Sequence, residues 1–355
     1  MSKPSLSVIC ATYNGASKLP GLLDCLSANL LDNPDLAEII FVLDGSNDKS
    51  EELIGEFIDN HRSTRVIAKK CETNLGISQA RNLGLAEARS EVIAFLDDDC
   101  RPSQSWIEDV ISLWGTASQK IVGIGGVVSS YKPVTFNQRY CGAVTPLRPY
   151  PLKVGRSTIP SRLRYYYTKA PDVYSHAEYL VGCCMTFRKY SLDRIQGFDP
   201  LMKFGGDDQY ICEKLRSEYG EKVLVIDPRL VMPHEFSRQF TDSLRRSYSY
   251  GVSIGRDVRR DIKNLSFNPG PFVTLLYFSI LYLILRMNFP FISGITCFAF
   301  SVVLATIGYI SLLFWRKIIP EKFIPAKLMF GICFLLCESI NVYGMLSGFV
   351  RTSKN

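Results

Sequence analysis

The sequence predicts an α/β fold: a mostly parallel, Rossmann-like sheet over residues 1–238, followed by apolar helices at the carboxyl end. Short apolar runs alternate with helical stripes from residue 6 onward, the pattern of β-α-β units with right-handed crossovers. Thr12, Asp44 and Asp97 each fall just after an apolar run, so one rim of the sheet collects them. Long apolar stretches with few charges follow residue 270.

Leu6-Ser7-Val8-Ile9-Cys10-Ala11 reads as the first strand and Thr12-Tyr13-Asn14-Gly15 as a turn. Ser17 is placed to cap a helix over about 19–29, with Leu19, Leu22, Leu23, Leu26 and Leu30 on one stripe. Glu38-Ile39-Ile40-Phe41-Val42-Leu43 is the next strand, ending at Asp44-Gly45-Ser46-Asn47-Asp48. A helix over about 51–61 and a strand over 64–68 follow, and Asn74-x-Gly76 opens a helix carrying Ala80, Arg81, Asn82 and Gly84.

Glu91-Val92-Ile93-Ala94-Phe95-Leu96 is short, apolar and partly β-branched, as a buried parallel strand requires. It delivers Asp97-Asp98-Asp99 where the chain would leave the core, and open α/β sheets bind ligands at that edge. Asp97 and Asp99 lie two apart, so an extended chain projects them on one face. Hard carboxylate oxygens suit Mg²⁺ or Mn²⁺ shared with substrate phosphates. A solvated acidic turn would explain such a triplet in isolation; its surroundings favour the site.

Ser105-Trp106-Ile107-Glu108 begins a helix in which Trp106 is read as packing. The glycine-rich strand 121–128 is not followed by a helix, which argues against a phosphate-cradling loop. From Tyr131 to Glu178 the pattern is irregular and rich in Pro, Tyr and Arg, including Arg139, Arg148, Arg156, Arg162, Arg164 and Tyr165-Tyr166-Tyr167. That mixture suits a membrane headgroup zone or a sugar-phosphate acceptor, and a solvated loop equally well. Val223-Leu224-Val225-Ile226-Asp227 is a further strand, with His234 beyond it.

The chain has 355 residues, 47% hydrophobic and 21% charged, with a formal net charge of +7. No Lys/Arg tract or nucleic-acid motif accompanies the excess, which directs it toward a membrane surface or a phosphorylated substrate and away from nucleic acid. Eleven cysteines without CxxC spacing, among them the adjacent Cys183 and Cys184, read as free thiols in a reducing compartment. Three histidines exclude a His-rich metal cluster. Met1-Ser2-Lys3-Pro4 leads into no apolar run of the signal-peptide kind.

Four pieces in order carry a resemblance: Val8-Ile9-Cys10-Ala11-Thr12-Tyr13-Asn14, Asp44-Gly45-Ser46-x-Asp48, Asn74-x-Gly76-x-x-x-Ala80-Arg81-Asn82-x-Gly84, and Phe95-Leu96-Asp97-Asp98-Asp99. Together they resemble the nucleotide-binding half of family 2 glycosyltransferases with a GT-A fold. Ala11 stands where that family usually has proline, and Leu43 where an aspartate often precedes Asp44. The resemblance implies a nucleotide site of Thr12, Asp44, Arg81 and Asp97. It implies a DxD metal pair of Asp97 and Asp99 for Mn²⁺ or Mg²⁺. Val181–Arg188 resembles the family's small-residue strand below the acceptor, and Gly197-Phe198-Asp199…Gly206-Asp207-Asp208 its Gly-Phe-Asp…Glu-Asp signature. Asp208 is then the implied general base, with Asp207 replacing the usual glutamate beside it. His234 is implied as a third metal ligand and Arg238 as a diphosphate contact.

Phe240, Leu244, Tyr248, Gly251, Gly255, Val258 and Ile262 form a helical stripe flanked by arginines, which suggests an interfacial helix over 239–268 on membrane lipids. Within 269–355 the apolar stretches 271–285, 289–315 and 328–350 read as about three transmembrane helices, the first of them marginal in length. Arg316, Lys317, Lys322 and Lys327 place the loop between the last two in the cytoplasm, and the catalytic domain with it. The expectation is a membrane-anchored inverting glycosyltransferase. It would carry a sugar from a nucleotide donor, preferentially a UDP-sugar, to a glycan or lipid-linked glycan. A polyprenyl-phosphate sugar synthase and a non-catalytic scaffold are the alternatives.

Overall fold

The computed structural model describes residues 3–30, 36–62, 65–144, 150–151 and 174–260, and beyond these 282–283, 287, 336–337, 339–340 and 342–347. The chain divides into two compact units. The first is Met1–Pro133, Leu147–Arg156 and Ala170–Phe236; the second is Val134–Pro146, Ser157–Lys169 and Ser237–Asn355.

In chain order the elements are β1 (Leu6–Thr12), α1 (Leu19–Leu30), β2 (Leu36–Asp44), α2 (Ser50–Asn60), β3 (Arg65–Cys71), α3 (Ile77–Glu87), β4 (Val92–Asp97), α4 (Trp106–Thr116) and β5 (Gly123–Ser130). There follow α5 (Phe136–Val144), β6 (Tyr150–Pro151), β7 (Ser175–Tyr179), β8 (Met185–Arg188), α6 (Lys189–Arg194), α7 (Asp207–Tyr219), β9 (Leu224–His234) and α8 (Phe240–Arg260). The sheet of the first unit runs β3-β2-β1-β4-β8-β5-β9-β7-β6. Strands β1 to β4 pair in parallel, as do β5 and β9. Their apolar runs make the core: Leu6, Val8, Ile9, Ile39, Ile40, Phe41, Ile93 and Phe95 have no exposed surface. Burying each such side chain is worth about 1.5–3 kcal/mol relative to leaving it in water.

The sheet is mostly parallel, as the sequence predicts, and becomes mixed at β8. Strand β8 is antiparallel to both β4 and β5. With Met185 opposite Phe95 and Arg188 opposite Val92, the residues just before β8 arrive at the rim where β4 ends in Asp97. Strand β9 also outruns its expected end at Asp227 and continues to His234. The glycine-rich β5 makes this passage possible, because a Cβ on Gly126 would collide with the Leu230 carbonyl. The expected cap from Ser17 is replaced by a turn in which the Lys18 and Leu19 amides donate to the Gly15 carbonyl at 2.8 and 2.9 Å. Trp106 is buried in the core, and its helix starts where the sequence predicts.

In the second unit, the Asn137 amide of α5 donates to the Ser237 and Gln239 carbonyls at 2.8 and 3.0 Å, and Tyr140 meets Phe240 edge to face at 5.8 Å. The stretch 131–178, expected to be irregular, thus contains α5 and enters β7; most of its arginines and its tyrosine triplet lie outside the described residues. Among the described residues no helix is long and apolar enough to cross a membrane. The apolar stretch 289–315 and the cationic loop 316–327 lie outside them altogether, as do most of 271–285 and 328–350 and residues 261–268 of the basic helix.

Candidate active site

The site lies wholly in the first unit, at the carboxyl ends of β1, β2 and β4. Strand β4 stops at Asp97, and the chain turns at once: the Cys100 amide donates to the Asp97 carbonyl at 3.1 Å. The turn gives Asp97 and Asp99 different partners, although both lie beside His234. Asp97 stays at the rim, its side chain a third exposed. Asp98 turns inward and accepts from Thr12 Oγ1 at 2.7 Å and Lys18 Nζ at 3.1 Å. Burial and then the neighbouring Asp99 push its carboxyl above the ordinary range, against the pull of Lys18 and Thr12. Asp99 faces Lys18 Nζ at 3.0 Å and His234 Nε2 at 2.9 Å.

Backbone pairing brings His234 there. The Arg101 amide donates to the Pro233 carbonyl and the Glu235 amide to the Asp99 carbonyl, both at 2.8 Å, so the end of β9 is stitched to the acidic turn. The imidazole is buried, and its Nδ1 has no hydrogen-bond partner. Ligand-type atoms of Asp97, Cys183 and His234 all lie within 4.8 Å of one another.

Asp44, at the end of β2, is engaged on both oxygens, which accept from the Leu75 amide at 2.7 Å and the Gly76 amide at 2.9 Å. It therefore holds the loop that opens α3, where Gly76 sits at a φ of 93°. The Thr12 hydroxyl is likewise turned into the protein, toward Asp98.

Arg81 of α3 is the hub. Its Nη1 donates to Asp207 Oδ2, and its Nη2 reaches Asp97 Oδ1 at 3.0 Å and the Gly182 carbonyl at 3.2 Å. The guanidinium lies over the rings of Phe95 and Phe198. Burial alone would lower its pKa; Asp207 and then Asp97 outweigh that, making it a fixed cation. Asp207 and Asp208 begin α7 behind Gly206, a left-handed residue at φ 81°. Asp208 accepts from the Gly182 amide at 3.1 Å and its neighbour Gln209 at 2.8 Å. The residue as a whole is half-buried, and its carboxyl group is ringed by protein. Burial first, then Asp207, push its pKa up to about 7, with Arg81 pulling the other way. Arg238 is exposed and belongs to the second unit.

Three strand-end motifs, Arg81 of α3, a carboxylate pair at a helix start and a histidine on the last strand thus come together at one sheet rim, and residues 7–196 match the family model for Glycosyl transferase family 2. The chain belongs to this family. An uncharacterized glycosyltransferase of Haemophilus influenzae is 37% identical over 100 residues, covering 28% of this chain and 38% of that protein. A pre-mycofactocin glycosyltransferase of Mycobacterium tuberculosis is 26% identical over 255 residues, covering 71% of this chain and 47% of that protein. The chain spans less than half the length of these curated relatives. Among solved structures, the mannosyltransferase PcManGT of Pyrobaculum calidifontis, in complex with GDP-Man and Mn²⁺, is 14% identical with a TM-score of 0.56, covering 99% of this chain and 88% of that one. At that identity the likeness is one of fold, and the first unit of this family 2 member has the GT-A architecture with its mixed, mostly parallel sheet.

Sequence reasoning passed over two members of the rim. Lys18 looked like an ordinary position ahead of a helix. Cys183 was visible only as half of a cysteine pair, because nothing local signals that β8 enters the sheet antiparallel.

Proposed function

We propose that this chain is a membrane-anchored inverting glycosyltransferase. It moves a sugar from a nucleotide donor, preferentially a UDP-sugar, to a hydroxyl of a glycan or lipid-linked glycan, with Asp208 as general base. One observation carries this reading. Asp97 from the strand rim and Asp207 from α7 grip opposite ends of the same buried guanidinium, Arg81, with Asp208 beside them. Groups assigned to the donor and to the acceptor are therefore held in fixed relation, as positioning catalysis needs.

Asp97, Asp99 and His234 would hold a divalent ion, Mn²⁺ or Mg²⁺. The donors fit, since the buried His234 imidazole lies against Asp99 and offers a ring nitrogen within 4.8 Å of an Asp97 carboxylate oxygen. When bound, such an ion supplies positive charge against the departing nucleoside diphosphate. Mn²⁺ and a nucleotide sugar in the PcManGT complex support this assignment. Thr12, Lys18 and Asp98 keep the acidic turn rigid, and Asp44 keeps the loop before α3 in place.

Asp208 takes the proton of the acceptor hydroxyl. The freed oxygen attacks the anomeric carbon from the face opposite the diphosphate, and the bond to the diphosphate breaks with inversion. A base works best with a pKa near the operating pH, which the burial of Asp208 beside Asp207 supplies. Arg81 limits that rise, so Asp208 is still partly ionised near neutrality. The apolar stretches after residue 270 and the cationic loop 316–327 support a multi-pass anchor with the catalytic unit in the cytoplasm. A panel of nucleotide sugars, offered with Mn²⁺ and a membrane extract, tests the activity. The expected result is product that depends on one class of donor. No product with any nucleotide sugar would remove the reading.

A further inference from the structure

We propose that Cys183 is a ligand of the active-site metal, completing a carboxylate–thiolate–imidazole set with Asp97 and His234 that favours Zn²⁺, Co²⁺ or Cd²⁺ over Mg²⁺. The inference rests on the metal-dependent reading above and extends it to a residue that reading does not use.

Geometry comes first. Two ligands of one ion can be no farther apart than about 4.4 Å, twice a bond of about 2.2 Å. Atoms of Asp97, Cys183 and His234 within 4.8 Å of one another need close by only a few tenths of an ångström to share an ion.

The fold also holds Cys183 in place. It lies just ahead of β8, whose antiparallel pairing with β4 brings it to the Asp97 end. The residue before it is pinned on both sides: the Gly182 amide donates to Asp208 at 3.1 Å, and the Gly182 carbonyl accepts from Arg81 at 3.2 Å. The Cys184 amide donates to the Val181 carbonyl at 2.9 Å.

His234 supplies an independent sign of a ligand. It is 2% exposed, and its Nδ1 is unpartnered although Nε2 lies 2.9 Å from Asp99 Oδ1. Asp97, part-exposed, is the member of the set open to the rim. On binding, the Cys183 S–H proton leaves to solvent and a sulfur lone pair forms the metal–sulfur bond. Thiolate and imidazole favour borderline-soft ions, whereas carboxylate oxygens alone favour Mg²⁺ and Mn²⁺.

The test is titration of the full-length chain in detergent with Cd²⁺, read as sulfur-to-metal charge-transfer absorption in the ultraviolet. A single saturable band at one ion per chain is expected. Cys183→Ser should remove that band and weaken Cd²⁺ binding by about tenfold or more, the scale of losing a supporting metal contact. Its Mn²⁺ affinity, measured by calorimetry, should change far less. Cys25→Ser should keep the band. Should Cys183→Ser fail to fold, Asp97→Asn serves instead and should weaken the same band. Cd²⁺ binding at one per chain without a sulfur band, or a band unchanged in Cys183→Ser, overturns the assignment. If the wild type then still binds Mn²⁺ with nucleoside diphosphate, the metal-dependent reading survives without Cys183. If no divalent ion binds at all, both fall.

Discussion

Replacing Asp208 with asparagine should change how the protein's stability responds to pH. In the folded chain the Asp208 carboxyl titrates at about 7, against an ordinary value of 3.8, mainly because burial and Asp207 oppose its charge. The folded state therefore holds a proton that the unfolded state has already released, and stability falls as pH rises between about 4 and 7. About three units, at about 1.36 kcal/mol each, set a ceiling of about 4 kcal/mol. Sharing of the proton with Asp207 brings the expected loss to about 2 kcal/mol. Asparagine cannot ionise, so this component should vanish in Asp208→Asn. The assay is thermal melting of wild type and variant in detergent at pH 4 and pH 8. The wild type should lose more stability than the variant over that interval, by about 2 kcal/mol. Equal losses in both proteins would refute the claim that Asp208 carries an unfavourable charge at neutral pH.

Arg81→Met leaves Asp97 and Asp207 without their shared buried cation and should cost about 3–5 kcal/mol, visible as a lower melting temperature. Because Arg81 lowers the Asp208 pKa, any residual activity of that variant should rise at higher pH than in wild type; an unshifted profile would separate Arg81 from the base. For the membrane topology, an impermeant thiol reagent applied to intact cells should leave a cysteine introduced by Ile319→Cys unlabelled until the membrane is opened. Efficient labelling from outside would invert the proposed orientation.

The parallel half of the sheet was legible because each of its strands is a local apolar run that ends in a polar turn. Glu38–Leu43 and Glu91–Leu96 announce themselves within six or seven residues, and the stripe of Leu19, Leu22, Leu23 and Leu26 announces α1 between strands. The second half was less legible because its pairings are long-range. Four residues, Met185–Arg188, carry no signal that they will run antiparallel between β4 and β5. The extension of β9 past Pro228 likewise depends on the room that Gly126 leaves for the Leu230 carbonyl.

At the site, spacing named residues but not their partners. Asp97 and Asp99 look equivalent as a pair two apart. The turn after β4 gives them different partners, Arg81 for one and Lys18 and His234 for the other. Asp44 and Thr12 look like rim ligands, yet each spends its side chain on an internal contact that shapes the rim. Such preferences for internal partners arise from backbone amides and lysines that converge only after folding.

The central claim is that Asp208 is the base, and the most direct measurement is transfer by Asp208→Asn beside Asp207→Asn, with donor affinity measured in parallel. A base acts on the acceptor's proton and has little hold on the bound donor, so Asp208→Asn should bind nucleotide sugar and Mn²⁺ as the wild type does. Its transfer rate should fall by about 10²–10⁴-fold, while Asp207→Asn, which perturbs the Arg81 clamp, should lose less. Near-normal transfer by Asp208→Asn would contradict the account: with Asp207→Asn inactive it would move the base to Asp207, and with both variants active it would mean an acceptor that needs no base.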